Sequence, residues 1–145
     1  MIVISACLVG ENCKYNGGNN ECLHILDFFN KNKDECILVC PERDVFSTPR
    51  PTVEIISGRA VNIDGKDVTD GFIKGAELEW EKIKVAAKGK KIEKAILKAN
   101  SPSCGCETIY DGTFSGKLKA GDGFFSKLLK EKGIRVFTEN NSEMS

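Results

Sequence analysis

The chain lacks an excess of charge of either sign: 21 Lys and Arg balance 21 Asp and Glu, for a net charge of zero. No global basic field is therefore available to hold a nucleic-acid backbone, and duplex binding is not indicated. No apolar run approaches membrane-spanning length, so no membrane partner is expected. The start, Met1-Ile2-Val3-Ile4-Ser5, has no basic region ahead of an apolar stretch and does not read as a signal peptide; the expected location is the cytoplasm. Histidine is almost absent. His24 stands alone, so a mixed Cys/His zinc site has no second imidazole to draw on. There is no Cys-x-x-Cys knuckle, internal repeat or low-complexity tract.

What the chain does have is cysteine: seven in 145 residues, at positions 7, 13, 22, 36, 40, 104 and 106. An odd count without a secretory signal argues against a disulfide framework and leaves core filler, metal ligands or nucleophiles. The length suits one domain with one sizeable core, expected over residues 1–139 with a polar tail at 140–145 that frays from Glu139.

Hydrophobic patterning predicts the elements. Apolar runs at Ile2–Ala6, Cys36–Val39, Ala95–Leu97 and Ile134–Thr138 read as buried strands. Cys22, Ile25, Leu26 and Phe29 fall at helical spacing, with Asn19 or Asn20 as cap. Thr52–Ile56 and Ala60–Ile63 form a hairpin around Ser57-Gly58. A long helix starts near Thr69, presents Phe72, Ile73, Ala76, Trp80, Ile83 and Ala87 on one face, and stops at Gly89. Thr108–Tyr110 and Thr113–Ser115, around Asp111-Gly112, suggest either a small second hairpin or an irregular excursion, and a last helix buries Phe125, Leu128 and Leu129. Apolar strands alternating with helices imply a single Rossmann-like three-layer α/β domain, with a mostly parallel sheet and a β-hairpin insertion.

This topology predicts where the chemistry sits. Ligands of open parallel sheets bind outside the carboxyl ends of the strands. Cys7 and Cys40 end the first two strands and Cys104 lies just past the third, so these thiols should gather on one edge. Thiolate-rich sites select zinc or iron–sulfur clusters. A cluster held by only three cysteines leaves one iron open as a Lewis acid with a preference for sulfur. Glu42, in Cys40-Pro41-Glu42, and Ser101 and Ser103, in Ser101-Pro102-Ser103-Cys104-Gly105, bring a carboxylate and hydroxyls to the same edge, as proton transfer and water activation require.

The remaining cysteines read differently. Cys22 and Cys36 are small core residues; Cys106 is either a spare ligand or packing; Cys13 approaches as an outer thiol or transient sulfur acceptor. His24 reads as solvated, and the basic segments Lys88-Gly89-Lys90-Lys91 and Lys117-Leu118-Lys119 as surface turns.

Seven stretches together resemble a prokaryotic family that includes the thiouracil desulfidases. They are Ser5-Ala6-Cys7-Leu8-Val9-Gly10, Cys13-Lys14-Tyr15-Asn16-Gly17, Cys40-Pro41-Glu42, Thr48-Pro49-Arg50, Asp67-Val68-Thr69, Ser101-Pro102-Ser103-Cys104-Gly105 and Tyr110-Asp111-Gly112-Thr113-Phe114. The resemblance implies a [4Fe–4S] cluster on Cys7, Cys40 and Cys104, and a small thiolated nucleobase or nucleoside as substrate. Water replaces sulfur without net redox change, and sulfur departs as hydrosulfide. Glu42 and Ser101 are the implied acid–base pair, with Ser103 as substitute. Two departures stand out: Lys14 where the family usually has Arg, and Arg43-Asp44-Val45-Phe46-Ser47-Thr48 where a Gly-Gly-Leu stretch is common. The latter is expected to border the pocket. Readings from a different class are a non-catalytic zinc or cluster protein, a thiol-based redox sensor, or a thiol enzyme relaying sulfur through Cys7 and Cys13.

Overall fold

In the computed structural model, which describes residues 1–141, alternation along the strands decides the layering. Ile2, Ile4 and Ile96 pack to one side with Leu8 and Ile25, joined by Leu38, Phe28 and Phe29. Val3, Ile37, Val39, Ala95 and Leu97 point the other way, against Ala76, Ile83, Ala87, Phe125 and Leu129. A strand with apolar side chains on both faces needs cover on both, which is the mark of a parallel sheet between helix layers. Burying each of these Ile, Leu or Val side chains contributes about 1.5–3 kcal/mol.

Four strands form that sheet: β1 (Ile2–Ser5), β2 (Cys36–Val39), β5 (Lys94–Leu97) and β8 (Arg135–Thr138). Their order is β2-β1-β5-β8, and every pairing is parallel. Helix α1 (Leu23–Lys31) covers one face; α2 (Thr69–Ala87) and α3 (Phe124–Glu131) cover the other. From β1 the chain leaves toward β2 on one side, and its other neighbour is β5, so the topological switch lies between β1 and β5. The expected hairpin is β3 (Val53–Ile56) with β4 (Arg59–Asn62). Ser57 and Gly58 both have positive φ (49° and 78°), the backbone of a tight two-residue turn. No helix among the described residues is long and apolar enough to cross a membrane.

Several local expectations are corrected. The second hairpin pairs β6 (Thr108–Tyr110) with β7 (Leu118–Ala120), not with 113–115. Positive φ at Gly112, Phe114 and Gly116 keeps 111–117 out of extended geometry. The first helix is capped by Cys22, not by Asn19 or Asn20, and Cys22 makes no side-chain cap bond. The side chain of Asn20 is spent on Cys7 and that of Asn19 on the Glu21 backbone N–H. Ile73, assigned to the buried face of α2, is 41% exposed, whereas Glu79 on that helix is buried. Glu139 does not fray: its carboxylate accepts the Ala99 N–H (2.7 Å) and pairs with Lys98 (3.0 Å). Residues 142–145 of the expected tail lie outside the described residues.

Glu79 bears on the site because it accepts the backbone N–H of Cys40 and faces Asp44. Asp44 Oδ2 is buried with no donor, and a proton on Glu79 would supply one. Burial, then the bond and charge of Asp44, raise the Glu79 carboxyl from 4.5 to about 8. The unfolded chain loses this proton near the ordinary value, and the folded chain holds it until the raised one. Stability therefore falls as pH rises through that window. Glu79→Gln, which keeps the donor and the acceptor but cannot ionise, should flatten this slope in thermal melts between about pH 6 and about pH 8.5, and should melt higher than the parent at the upper pH. A variant with the parent's slope would refute the protonated pair.

Candidate active site

Three strand ends deliver the thiols. Cys7 lies in a single 3-10 turn (Ala6–Val9) that follows β1 directly. Cys40 follows β2 by one residue, and Cys104 sits in the turn that Cys104 N closes on Ser101 Oγ (2.7 Å) after β5. Two helices hold the last two loops rigidly. A Cβ on Gly75 of α2 would sit 2.1 Å from the Pro41 carbonyl oxygen, so only glycine lets α2 abut the Cys40-Pro41-Glu42 loop. Gly123, capping α3, plays the same part at the other loop, where a Cβ would lie 2.5 Å from the Ser103 carbonyl. The amides opening α3 donate to that loop's carbonyls, Phe124 N to Pro102 (2.9 Å) and Phe125 N to Ser103 (2.9 Å). The N-terminus of this helix is thereby consumed in fixing the Cys104 loop.

A cavity of about 460 Å³ opens at this edge. Cys7, Cys13 and Cys104 line it together with Glu42, Ser101 and Ser103. Cys40 stands next to them: its Sγ lies 3.8 Å from the Cys13 carbonyl oxygen, and its charge and that of Cys7 both act on Cys104. The thiols differ in proton affinity. Hydrogen bonding from the Cys13 thiol lowers Cys7 against the opposing cost of burial, and Asn20 Nδ2 donates to Cys7 Sγ at 3.4 Å. The same thiol pulls Cys40 down to about 7, aided by the Arg43 backbone N–H and the Arg50 charge. Cys13 is pushed up by its bonds to Cys40 and Cys7, so it is the protonated member between two incipient thiolates. Burial holds Cys104 above the usual thiol range.

This donor set fits an iron–sulfur core. Two thiols are already biased toward the thiolate that ligation requires, and the third is kept neutral by burial until a cation arrives. Among the described residues, no three His, Cys, Asp or Glu side chains stand close enough to close on one metal ion, whereas a cubane spreads its thiolates over separate irons.

The polar residues form a connected row. Ser103 Oγ donates to Glu42 Oε2 at 2.6 Å, a charge-assisted bond that commits its single proton. Glu42 Oε1 accepts Arg50 Nε at 3.2 Å in an ion pair whose side chains are 16% and 8% exposed. Ser101 Oγ, 3.4 Å from Ser103 Oγ, has one lone pair on the Cys104 N–H and keeps its own proton available at the cavity. Arg50 also donates to the Cys13 carbonyl (2.8 Å) and to Thr48 Oγ1 (2.8 Å), stitching the Cys13 loop to Glu42.

Not every singled-out residue arrives. Cys106 donates to the Val136 carbonyl at 3.4 Å beside β8. Cys22 and Cys36 are half-buried against the α1 face, and exposed His24 contacts only Cys22 among the thiols, at 3.3 Å. The 43–48 segment turns toward α2, with Phe46 on Phe72 (5.3 Å between centroids) and Asp44 on Lys82 (2.8 Å), rather than bordering the cavity. Sequence reasoning gave no role at the site to Arg50, Lys98 or Glu54 and assigned Asn20 to a helix cap, yet all four line the cavity. Arg50 and Phe114 stand in the family-like stretches; Lys98 and Glu54 carry no signal.

The family model for 2-thiouracil desulfurase matches residues 2–141. The uncharacterized protein YbbK of Bacillus subtilis (strain 168) is 40% identical over 153 aligned positions, covering 97% of this chain and 96% of that protein. Among solved structures, the [4Fe-4S]-dependent thiouracil desulfidase TudS superposes with a TM-score of 0.85 at 38% identity, over 96% of this chain and 90% of that one. Thiols at the strand ends, a carboxylate–hydroxyl row beside them and a match along nearly the entire length agree, and the chain belongs to the 2-thiouracil desulfurase family.

Proposed function

We propose that this protein is a [4Fe–4S]-dependent desulfidase that converts 2-thiouracil, or a related thiolated nucleobase or nucleoside, to the oxo form by hydrolysis. Cys7, Cys40 and Cys104 would hold the cluster. When bound, it supplies an iron free of cysteine, a Lewis acid for the thiocarbonyl sulfur. The observation that carries the reading is the 2.6 Å bond from Ser103 to Glu42 beside the thiols.

The chain's own groups then do the following. Glu42, held in place by Arg50, accepts a proton from water that attacks the ring carbon. Ser101 donates a hydrogen bond toward the ring and keeps its proton. The water oxygen adds to the ring carbon and becomes the carbonyl oxygen as the C–S bond breaks; of its two protons one goes to Glu42 and the other leaves with sulfur as hydrosulfide, and Glu42 then returns its proton to solvent. No electrons are exchanged. Cys13 lies beside both Cys7 and Cys40, can donate its single thiol proton to one of them at a time, and acts as an outer support rather than a ligand. All seven cysteines are unpaired, which suits a reducing compartment and supports a cytoplasmic location. A non-catalytic metal protein or a redox sensor would have no need of the Glu42–Ser103–Ser101 row.

Anaerobically prepared protein should contain about four irons per chain and release uracil and sulfide from 2-thiouracil. Cys7→Ala, Cys40→Ala and Cys104→Ala should each lose iron and colour, while Cys13→Ala keeps iron. Full iron in all three ligand variants would overturn the assignment. Glu42→Gln should retain iron yet lose turnover by about 10²–10⁴-fold, with Ser101→Ala and Ser103→Ala down by about tenfold or more. A Glu42→Gln enzyme of wild-type rate would remove the carboxylate from the mechanism.

A further inference from the structure

The stretch Tyr110–Phe114 has no part in the chemistry above, yet Tyr110, Phe114 and Gly116 line the cavity. Tyr110 ends β6, and Phe114 and Gly116 lie in the loop that leads from it to β7, far in the sequence from the first thiols. One buried side chain holds this loop. Glu54 of β3, 9% exposed, accepts both the Gly112 N–H (3.0 Å) and the Phe114 N–H (3.1 Å) on the same oxygen, Oε1. Asp111 Oδ1 closes the same turn from inside by accepting the Thr113 N–H (2.9 Å) and hydroxyl (2.6 Å). Lys119 Nζ, donating to the Ile55 carbonyl (2.7 Å), ties the two hairpins at a further point.

Under this grip Phe114 is left-handed, with φ of 55°. An aromatic residue does not choose that backbone region unaided; the surroundings must impose it, and such residues gather at functional sites. A buried carboxylate aimed at two loop amides is likewise a costly device unless the loop's position matters. The other cavity aromatics, Tyr15 and Tyr110, are 39% and 37% exposed at the rim, whereas Phe114 is half-buried. A flat heterocycle binds best against a ring held in a fixed place.

We propose that Phe114 is the stacking face for the substrate heterocycle and that Glu54 is the positioning residue that sets it, making the two hairpins the specificity wall of the site. This deepens the desulfidase reading and rests on it for the identity of the ring. The strand ends carry the chemistry; the hairpins select what is presented to it.

The experiment uses cluster-loaded protein and two readouts: kcat and KM for 2-thiouracil, and equilibrium dialysis with uracil as the probe. Phe114→Ala and Phe114→Leu should each raise KM and weaken uracil binding about tenfold, with kcat within about twofold, while Phe114→Tyr stays within about twofold in all three. Glu54→Ala should match Phe114→Ala and speed hydrogen exchange at the Gly112 and Phe114 amides; Glu54→Gln, which keeps a carbonyl acceptor, should do neither. Phe114→Leu with wild-type binding overturns the stacking face. Glu54→Ala with unchanged exchange and binding overturns the positioning role, and should that variant not fold, Glu54→Gln behaving like Phe114→Ala does the same. Wild-type protein that binds uracil with the expected ranking but leaves 2-thiouracil intact overturns the desulfidase reading and upholds the wall. Failure of both binding and turnover overturns both.

Discussion

The arrangement depends on the cost of placing negative charge where little water reaches. The thiol of Cys104 is buried and those of Cys7 and Cys40 are half-buried, and the proposed ligation of iron by all three would require each to be a thiolate. The chain offsets this unevenly. The Cys13 thiol lies between Cys7 and Cys40, the Asn20 amide donates to Cys7, and Arg50 adds positive charge near Cys40 while neutralising Glu42. Cys104 has the Ser5 and Ser103 hydroxyls beside it, but burial outweighs them and the thiol stays neutral without a cation. A site made this way is biased toward its inorganic core without being fully charged in its absence.

Rigidity comes from outside the site. The loops bearing Cys40 and Cys104 are pressed by two helices at positions where no side chain fits, and the amides of α3 are used up on the Cys104 loop. Glu79 reaches from α2 to the Cys40 backbone, so the helix grips that loop through a buried hydrogen bond as well as by contact. Hydroxyl and carboxylate geometry at the level of the 2.6 Å Ser103–Glu42 bond is sustained by such supports, because the two residues come from loops 61 positions apart.

Much of this was legible in the sequence. Two-sided apolar strands announced a parallel sheet, and cysteines at strand ends announced a shared edge, because both signals are local: a periodicity in one case and a position relative to a strand in the other. The unread part is long-range. Asn20 looked like a helix cap, since Asn before an amphipathic stretch usually is one, but its amide had a sulfur to serve instead. Arg50 stood in a family-like stretch without a role, because its partners, Glu42, Thr48 and the Cys13 carbonyl, meet only after the β2–β3 connection folds against the Cys13 loop. Of the two readings of 113–115, the hairpin strand fails and the irregular excursion holds, for a related reason. Its residues have strand propensity, but Glu54, some 60 residues earlier, claims the Gly112 and Phe114 amides and bends the segment into a wall.

That failure separates two kinds of constraint. The residues nearest the sulfurs hang from the parallel sheet, whose register ties Ser5, Val39 and Leu97 to their neighbours and leaves the strand ends little freedom. The opposite wall hangs from two hairpins joined to each other by Glu54 and Lys119. Each hairpin pairs within itself and neither joins the four-stranded sheet, so the β6–β7 loop can vary with the sheet unchanged, an isolated bridge from Ile109 to Asn100 being the tie between β6 and the start of the Cys104 loop. Divergence among relatives in what ring or appended sugar they accept should therefore concentrate in these insertions, with the sheet edge and its cysteines held constant by the demands of one cofactor.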